Sequence, residues 1–208
     1  LARWRLYGGF VSVFCFMTIV AYSQGWGAAL FERTWGWETS YYASINGVLL
    51  IICGPAAVLS AGWLCDHWIA QGKRDAPMKI ALFGVFATVL TGAVFPLMPT
   101  APLAMGLFAL NNMGIGVTSA MGVTALLRIA PGPVKAQTVA LYYMCISMAG
   151  LFLGPTAVAL LNDHVFGVEG IRYSMAVIPV IFGVPVLLGL RGILGSYDQG
   201  ITEHEGLT

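Results

Sequence analysis

The residues of this chain that could do chemistry inside its apolar stretches are all neutral. Tyr22 and Gln24 come first, then Asn46, then the adjacent Asn111 and Asn112, then Tyr143 with Ser147 one turn later. Groups of this kind bind by exchanging hydrogen bonds. An amide without a partner costs several kcal/mol in hydrocarbon, so each must face protein or water rather than lipid. Two roles stay open for each amide: contact with a solute in a cavity, or an interhelical hydrogen bond that only holds helices together. Asn111 and Asn112 point about 100° apart on a helix, so at most one of them faces a cavity squarely. An aromatic and amide lining suits a small organic or amphipathic solute, whereas a bare ion would want carboxylates.

Charged chemistry is missing from the same stretches. No Asp, Glu, Lys, Arg or His occurs in 6–31, 39–65, 80–127, 136–162 or 173–190. Ionisable residues inside a membrane mark proton and ion relays, so any coupling carboxylate is expected outside this chain. His67, His164 and His204 all fall outside the apolar stretches, and Glu203-His204-Glu205 reads as a charged tail, not a metal site. There is no Gly-rich phosphate loop and no paired-Asp phosphotransferase pattern. No metal, cofactor or enzymatic activity is expected. A channel would want a filter of repeated carbonyl or charged rings, and none is visible. Cys15, Cys53 and Cys145 lie in apolar stretches and Cys65 at the end of one, without metal-ligand spacing, so all four read as packing residues.

These residues must be positioned by elements suited to lipid. The 208-residue chain is 58% hydrophobic and only 9% charged, against roughly 25% charged in an ordinary soluble domain. A helix crosses the hydrocarbon layer with about 20 residues. The charge-free stretches therefore hold six helices, near 6–30, 40–63, 79–96, 103–127, 135–161 and 173–192, with Pro96, Pro99, Thr100 and Pro102 breaking the longest stretch into two. The segments do not alternate polar and apolar residues, which excludes barrel strands. With six spans both termini share a side. That side carries Arg3, Arg5, Lys73, Arg74, Lys79, Arg128, Lys135 and Arg191, against Arg33 and Arg172 on the other, so both termini are expected in the cytoplasm of a multi-pass protein of the plasma (cell inner) membrane. Trp4, Trp35, Trp37, Trp63 and Trp68 fall at expected helix ends, where indole favours the headgroup layer. The stretch 193–208 is polar and Gly-containing and reads as a short flexible cytoplasmic tail. The chain opens on Leu1 with no signal peptide before the first span, so the expectation is that its start is missing or that it is a fragment. The net charge of +1 makes no case for nucleic acid.

The chain nearly repeats itself at half its length. Gly54-Pro55-Ala56-Ala57-Val58 matches Gly154-Pro155-Thr156-Ala157-Val158, and Asp66-His67 and Asp163-His164 follow the two copies. Copies of three spans run in opposite directions, so the reading is of two inverted three-helix repeats. Gly150, Gly154 and Pro155 are read as helix-packing residues, since small residues let backbones approach.

The loop after the second span reads Gly62-Trp63-Leu64-Cys65-Asp66-His67 and then Gly72-Lys73-Arg74. It resembles the signature loop of the major facilitator superfamily: Gly, three residues, Asp, a basic residue, then Gly and two basic residues. His67 stands where a basic residue is usual, and three extra residues precede Gly72. Pro133, Lys135-Ala136-Gln137, Ala140-Leu141-Tyr142, Gly150 to Pro155 and Asn162-Asp163, continued by Phe166-Gly167 and Arg172-Tyr173-Ser174, are similar to the eleventh helix and following loop of Spinster-like transporters.

The resemblance covers nearly the whole chain and implies an all-α integral membrane fold, the C-terminal six-helix half of a major facilitator fold (1–192), followed by the tail 193–208. It implies a missing N-terminal six-helix half as partner, beside the lipid bilayer and a small-molecule substrate. It implies secondary transport by alternating access, with proton coupling placed in that other half. Gly62, Asp66, Lys73 and Arg74 would form a conformational latch. Tyr22, Gln24, Asn46, Asn111, Asn112, Tyr143 and Ser147 are the cavity candidates for substrate. The alternative is a half-size transporter that pairs with itself, or a membrane subunit with no transport role.

Overall fold

Segments this apolar have one way to satisfy their backbone in lipid without a partner strand, which is to close every N–H on a carbonyl of the same helix. The computed structural model describes the backbone of residues 2–130, 132–167 and 170–205, with side chains over 7–130, 132–167 and 170–195 and at Tyr197. Six helical stretches are long and apolar enough to cross a membrane: Tyr7–Trp35, Thr39–Ala70, Ala76–Leu97, Ala101–Ile129, Gly132–Phe166 and Ile171–Gly195. The chain is an all-α, multi-pass membrane protein, and bilayer lipid is what its outer faces meet.

The first span is broken. Helix α1 (Ala2–Ser23) passes through a tight 3-10 turn, Gln24–Trp26, into α2 (Gly27–Trp35). Gly25 and Gly27 flank Trp26, and glycine weakens a continuous helix there. The Trp26 indole Nε1 donates to the Pro155 carbonyl at 3.1 Å and ties this break to the fifth span. The others are α3 (Thr39–Ala70), α4 (Ala76–Val94), α5 (Ala101–Ile129), α6 (Lys135–Leu161) and α7 (Ile171–Glu205). Gly36 and Gly72, at φ +69° and +83°, close α2 and α3 in the left-handed conformation that glycine adopts without strain. Pro77 and Pro102 stand in the first turns of α4 and α5, where a missing N–H costs nothing.

Helix α1 packs on α6 and α7, α5 packs on α3 and α4, and α4 meets α7 to join the two groups. Small residues set the closest approaches. A Cβ on Gly84 would stand 3.0 Å from the Gly114 carbonyl, and one on Gly114 would stand 2.9 Å from the Gly84 carbonyl. Thr88 and Thr118 complete this reciprocal contact, each folding its hydroxyl back onto its own helix, at Gly84 O (2.9 Å) and Gly114 O (2.8 Å). Each hydroxyl is thereby satisfied without holding α4 and α5 apart.

Two expectations change. Most helices run past the charge-free limits, because the apolar run marks the hydrocarbon segment while the helix continues into the headgroup layer. The stretch after 192 is no separate flexible tail over its described part, since α7 continues to Glu205. The reason is Tyr197, which is fully buried and donates its hydroxyl to the Ala125 carbonyl at 3.1 Å, docking the extension under α5. Residues 206–208, and the side chains of Arg3, Trp4, Arg5 and the Glu203-His204-Glu205 run, lie outside the described residues.

Burial pushes the Tyr197 phenol above its ordinary value of 10.0, with Cys65 and Asp75 adding to that and Arg128 opposing it. A raised phenol favours the neutral form in the fold. Its stabilisation is thus complete below about pH 10 and is lost as pH rises beyond, when a phenolate would face the Ala125 carbonyl. The phenolate absorbance that Tyr197→Phe removes should appear only at more alkaline pH than that of free tyrosine. Replacing Gly114 by Ala should cost about 1–3 kcal/mol, because the new methyl meets backbone. Gly106→Ala, with nothing within 4 Å, should change stability by less than about 0.5 kcal/mol. Thermal unfolding in detergent measures both.

Candidate functional site

Three spans leave a cavity of about 210 Å³ between them, entered by Thr18 and Tyr22 of α1, Thr118 and Ser119 of α5, and Tyr142, Tyr143 and Ser147 of α6. Phe14, Met17, Ala21, Ile115 and Ile146 complete its wall. Thr18, Tyr22, Ser119 and Ser147 stand near the middle of their spans, so the cavity lies at mid-depth. Among the described residues no charged side chain lines it.

Helix spacing brings these groups together. Phe14, Thr18 and Tyr22 recur every four residues on α1, and Tyr143 and Ser147 are one turn apart on α6. Close contact between α1 and α6 orients them. Gly150 lies against Tyr22 and Thr18, and a Cβ on Gly154 would stand 3.0 Å from the Ile19 carbonyl and 3.1 Å from the Ser23 nitrogen. The Thr18 hydroxyl donates to the Ile146 carbonyl at 2.8 Å, across the same contact. A Cβ on Gly122 would stand 2.5 Å from the Phe14 ring and 2.9 Å from the Tyr142 hydroxyl. That glycine gives room for an edge-on pair, Phe14 and Tyr142, with centroids 5.9 Å apart. Tyr142 in turn meets Tyr143 edge-on at 5.5 Å.

The hydroxyls differ in their commitments. Thr18 and Thr118 are held by backbone carbonyls. Tyr22, Ser119, Tyr143 and Ser147 make no hydrogen bond among the described residues, and all but the half-buried Ser147 are exposed. With the buried Tyr142, which likewise makes no hydrogen bond among the described residues, the cavity offers five uncommitted hydroxyls, each able to donate and accept, on an aromatic and aliphatic wall. Such a surface offers hydrogen bonds and apolar contact without charge.

Of the sequence-predicted candidates, Tyr22, Tyr143 and Ser147 share this cavity, whereas Gln24, Asn46, Asn111 and Asn112 do not line it. Asn111 is fully buried and donates to the Thr88 carbonyl at 2.8 Å and to Thr91 Oγ1 at 3.3 Å, across the α4–α5 contact. Asn112 donates to Phe108 of its own helix at 2.9 Å. Gln24 sits in the 3-10 turn and Asn46 on α3, and the side-chain oxygens of both, like that of Asn111, are buried without a partner. The apolar wall was missed, although Phe14 shares the four-residue stripe of Thr18 and Tyr22.

The proposed latch lies at the end of the bundle that carries the termini. Asp66 is exposed and makes no hydrogen bond or ion pair among the described residues. His67 stacks on Trp63 at 5.6 Å and accepts from Gln71 at 3.0 Å. Lys73 stands 4.7 Å over the Trp68 ring. The Arg74 carbonyl accepts from Arg128 at 3.2 Å. Gly62 leaves open space beside it. Among the described residues no group of His, Cys, Asp and Glu could hold a metal ion.

Compared with known protein families, curated proteins and solved structures, the chain matches none. Substituting Asn111 by Ala should lower stability by about 0.6–1.7 kcal/mol, the range of interhelical hydrogen bonds in membranes. Ser147→Ala should leave stability unchanged, and thermal unfolding in detergent compares the two.

Proposed function

We propose that this six-helix unit is one half of a secondary transporter of the major facilitator type, moving a small organic or amphipathic solute by alternating access. The observation that carries the reading is the mid-depth cavity with uncommitted hydroxyls on three spans. A carrier needs its binding site near the midplane, where two halves can expose it to either side in turn.

The packing pattern supports the same reading. The first span packs on the fifth and sixth, as the fourth packs on the second and third. Exchanging the first three spans with the last three maps one set of contacts onto the other, as two related triplets would require. The break at Gln24–Trp26 also suits a carrier, since interrupted helices line transporter sites. The least covered spans are the second and fifth, whose most apolar windows are 17% and 22% buried against 44% for the first and third. On this reading a second six-helix unit packs there.

The unit itself would perform no catalysis. Its cavity lacks a carboxylate, so proton coupling would belong to the other half. Basic residues gather at the end of the bundle that carries the termini, and by the positive-inside rule that end would face the cytoplasm of a plasma-membrane carrier. Asp66, Lys73 and Arg74 would engage the second unit at this end.

The test is uptake of a panel of labelled sugars, organic acids and amphipathic amines into cells expressing the complete native gene product. Ser147→Trp, which fills the cavity, and Tyr143→Ala should each cut uptake of any transported solute about tenfold with membrane expression unchanged, the effect of about 1.4 kcal/mol at the site. Uptake at the native rate by both variants would remove the cavity from the mechanism.

A further inference from the structure

We propose that the outer groove between α4 and α7 is a binding site for one phospholipid with a net-negative headgroup. The groove has a volume of about 370 Å³ and is lined by Leu82, Phe83 and Phe86 of α4, Val184, Leu187 and Leu188 of α7, and, as the single charged residue among the described ones, Arg191. That volume falls at the lower end of the ~300–1,000 Å³ of small-molecule sites. The site is independent of the transport reading, since it rests only on the chain's crossing of a bilayer.

The two helices are in contact along the inner side of the groove. Gly92 lies against Pro179, and Gly183 lies against Val89, so the backbones approach closely toward the middle of the membrane. Nearer the end that carries the termini, Ala81, Val85, Val186 and Leu190 stay buried in the core, and the groove runs along the outer side of the two helices. Phe83 and Leu188 are 67% and 63% exposed and form the two lips. The cleft is apolar along its length and opens sideways to lipid, which is the shape an acyl chain fills.

The charge specifies the headgroup. Arg191 continues the α7 stripe of Val184, Leu187 and Leu188 at the next turn. It is exposed and has no hydrogen-bond or ion-pair partner among the described residues. Lys79 continues the α4 stripe of Leu82, Phe83 and Phe86 in the same way. Because 92 faces 179 and 89 faces 183 on antiparallel helices, Lys79 and Arg191 stand at nearly the same depth, within about two residues or ~3 Å of rise. Lys79 is held by Asp75 at 2.7 Å, which leaves its other ammonium protons free. Arg191, Lys79 and Asp75 together carry one net positive charge. A guanidinium presents a planar fork that matches a phosphate with two parallel hydrogen bonds. A phosphate at this depth with its acyl chain in the cleft satisfies both parts of the groove.

The experiment is native mass spectrometry of the complete chain released from detergent, with phosphatidylglycerol or phosphatidylcholine added. The wild-type chain should retain one phosphatidylglycerol and no comparable phosphatidylcholine. Arg191→Gln should weaken retention about fivefold, the effect of one basic residue near an anionic leaflet. Val184→Trp, which fills the cleft and leaves Arg191 in place, should weaken it as well. Soluble glycerol 3-phosphate should not displace the lipid. Both substituted side chains are exposed, and thermal unfolding without lipid should match the wild type. Equal retention of phosphatidylglycerol by Arg191→Gln, or of phosphatidylcholine by the wild type, would overturn the proposal in favour of an unselective lipid belt. Displacement by glycerol 3-phosphate would overturn it in favour of a site for free phosphate.

Discussion

Lipid offers a helix no reward for leaving it. Apolar side chains are as well placed against acyl chains as against each other, so contact between spans must come from close packing and from polar groups with nowhere else to go. Everything specific in this bundle follows from that. Gly84 and Gly114 let the backbones of α4 and α5 come within reach of each other's carbonyls. Gly150 and Gly154 do the same for α6 against α1. Large side chains on the outer faces, as at Phe83 and Leu188, stay exposed and are left to lipid.

The same constraint builds the cavity. The Tyr22 ring lies where a side chain at Gly150 would be, so the tight contact of α1 with α6 and the position of the Tyr22 hydroxyl are one fact. Thr18 and Trp26 each donate to a carbonyl of the fifth span, at Ile146 and Pro155, and pin α1 on both sides of Tyr22. Phe14 and Tyr142 crowd over Gly122 in the same manner. Of the hydroxyls that line the space between these contacts, those of Tyr22, Ser119, Tyr142, Tyr143 and Ser147 stay uncommitted among the described residues. A site made this way is neutral, with hydroxyls on an aromatic wall.

Glycine spacing alone misleads in places. Gly54-Pro55 and Gly154-Pro155 match in sequence, but a Cβ on Gly54 would meet nothing within 4 Å, whereas Gly154 is pressed against α1. In the first copy it is Ala57, not Gly54, that packs inside the unit, 3.0 Å from where a Cβ on Gly116 would stand. Asn111 shows the converse. It shares the i, i+3, i+7 stripe of Gly114 and Thr118, and those small residues mark the side that α4 approaches. The stripe was readable, but nothing in it distinguishes a helix contact from a cavity wall.

By itself the sequence determined the number of spans and their boundaries to within about a turn of helix or two. It did so because hydropathy against length is a one-dimensional property, and a charge inside hydrocarbon is too costly to hide. It also settled that the membrane interior of this chain carries no acid or base. Only the tertiary structure decided which neutral polar residues share a space. That depends on the rotation of each helix about its own axis, which is set by contacts between residues more than a hundred positions apart, such as Thr18 with Ile146. Tyr197 is the same lesson at the chain's end: a polar-looking stretch stays helical to Glu205 because one phenol finds the Ala125 carbonyl across the bundle.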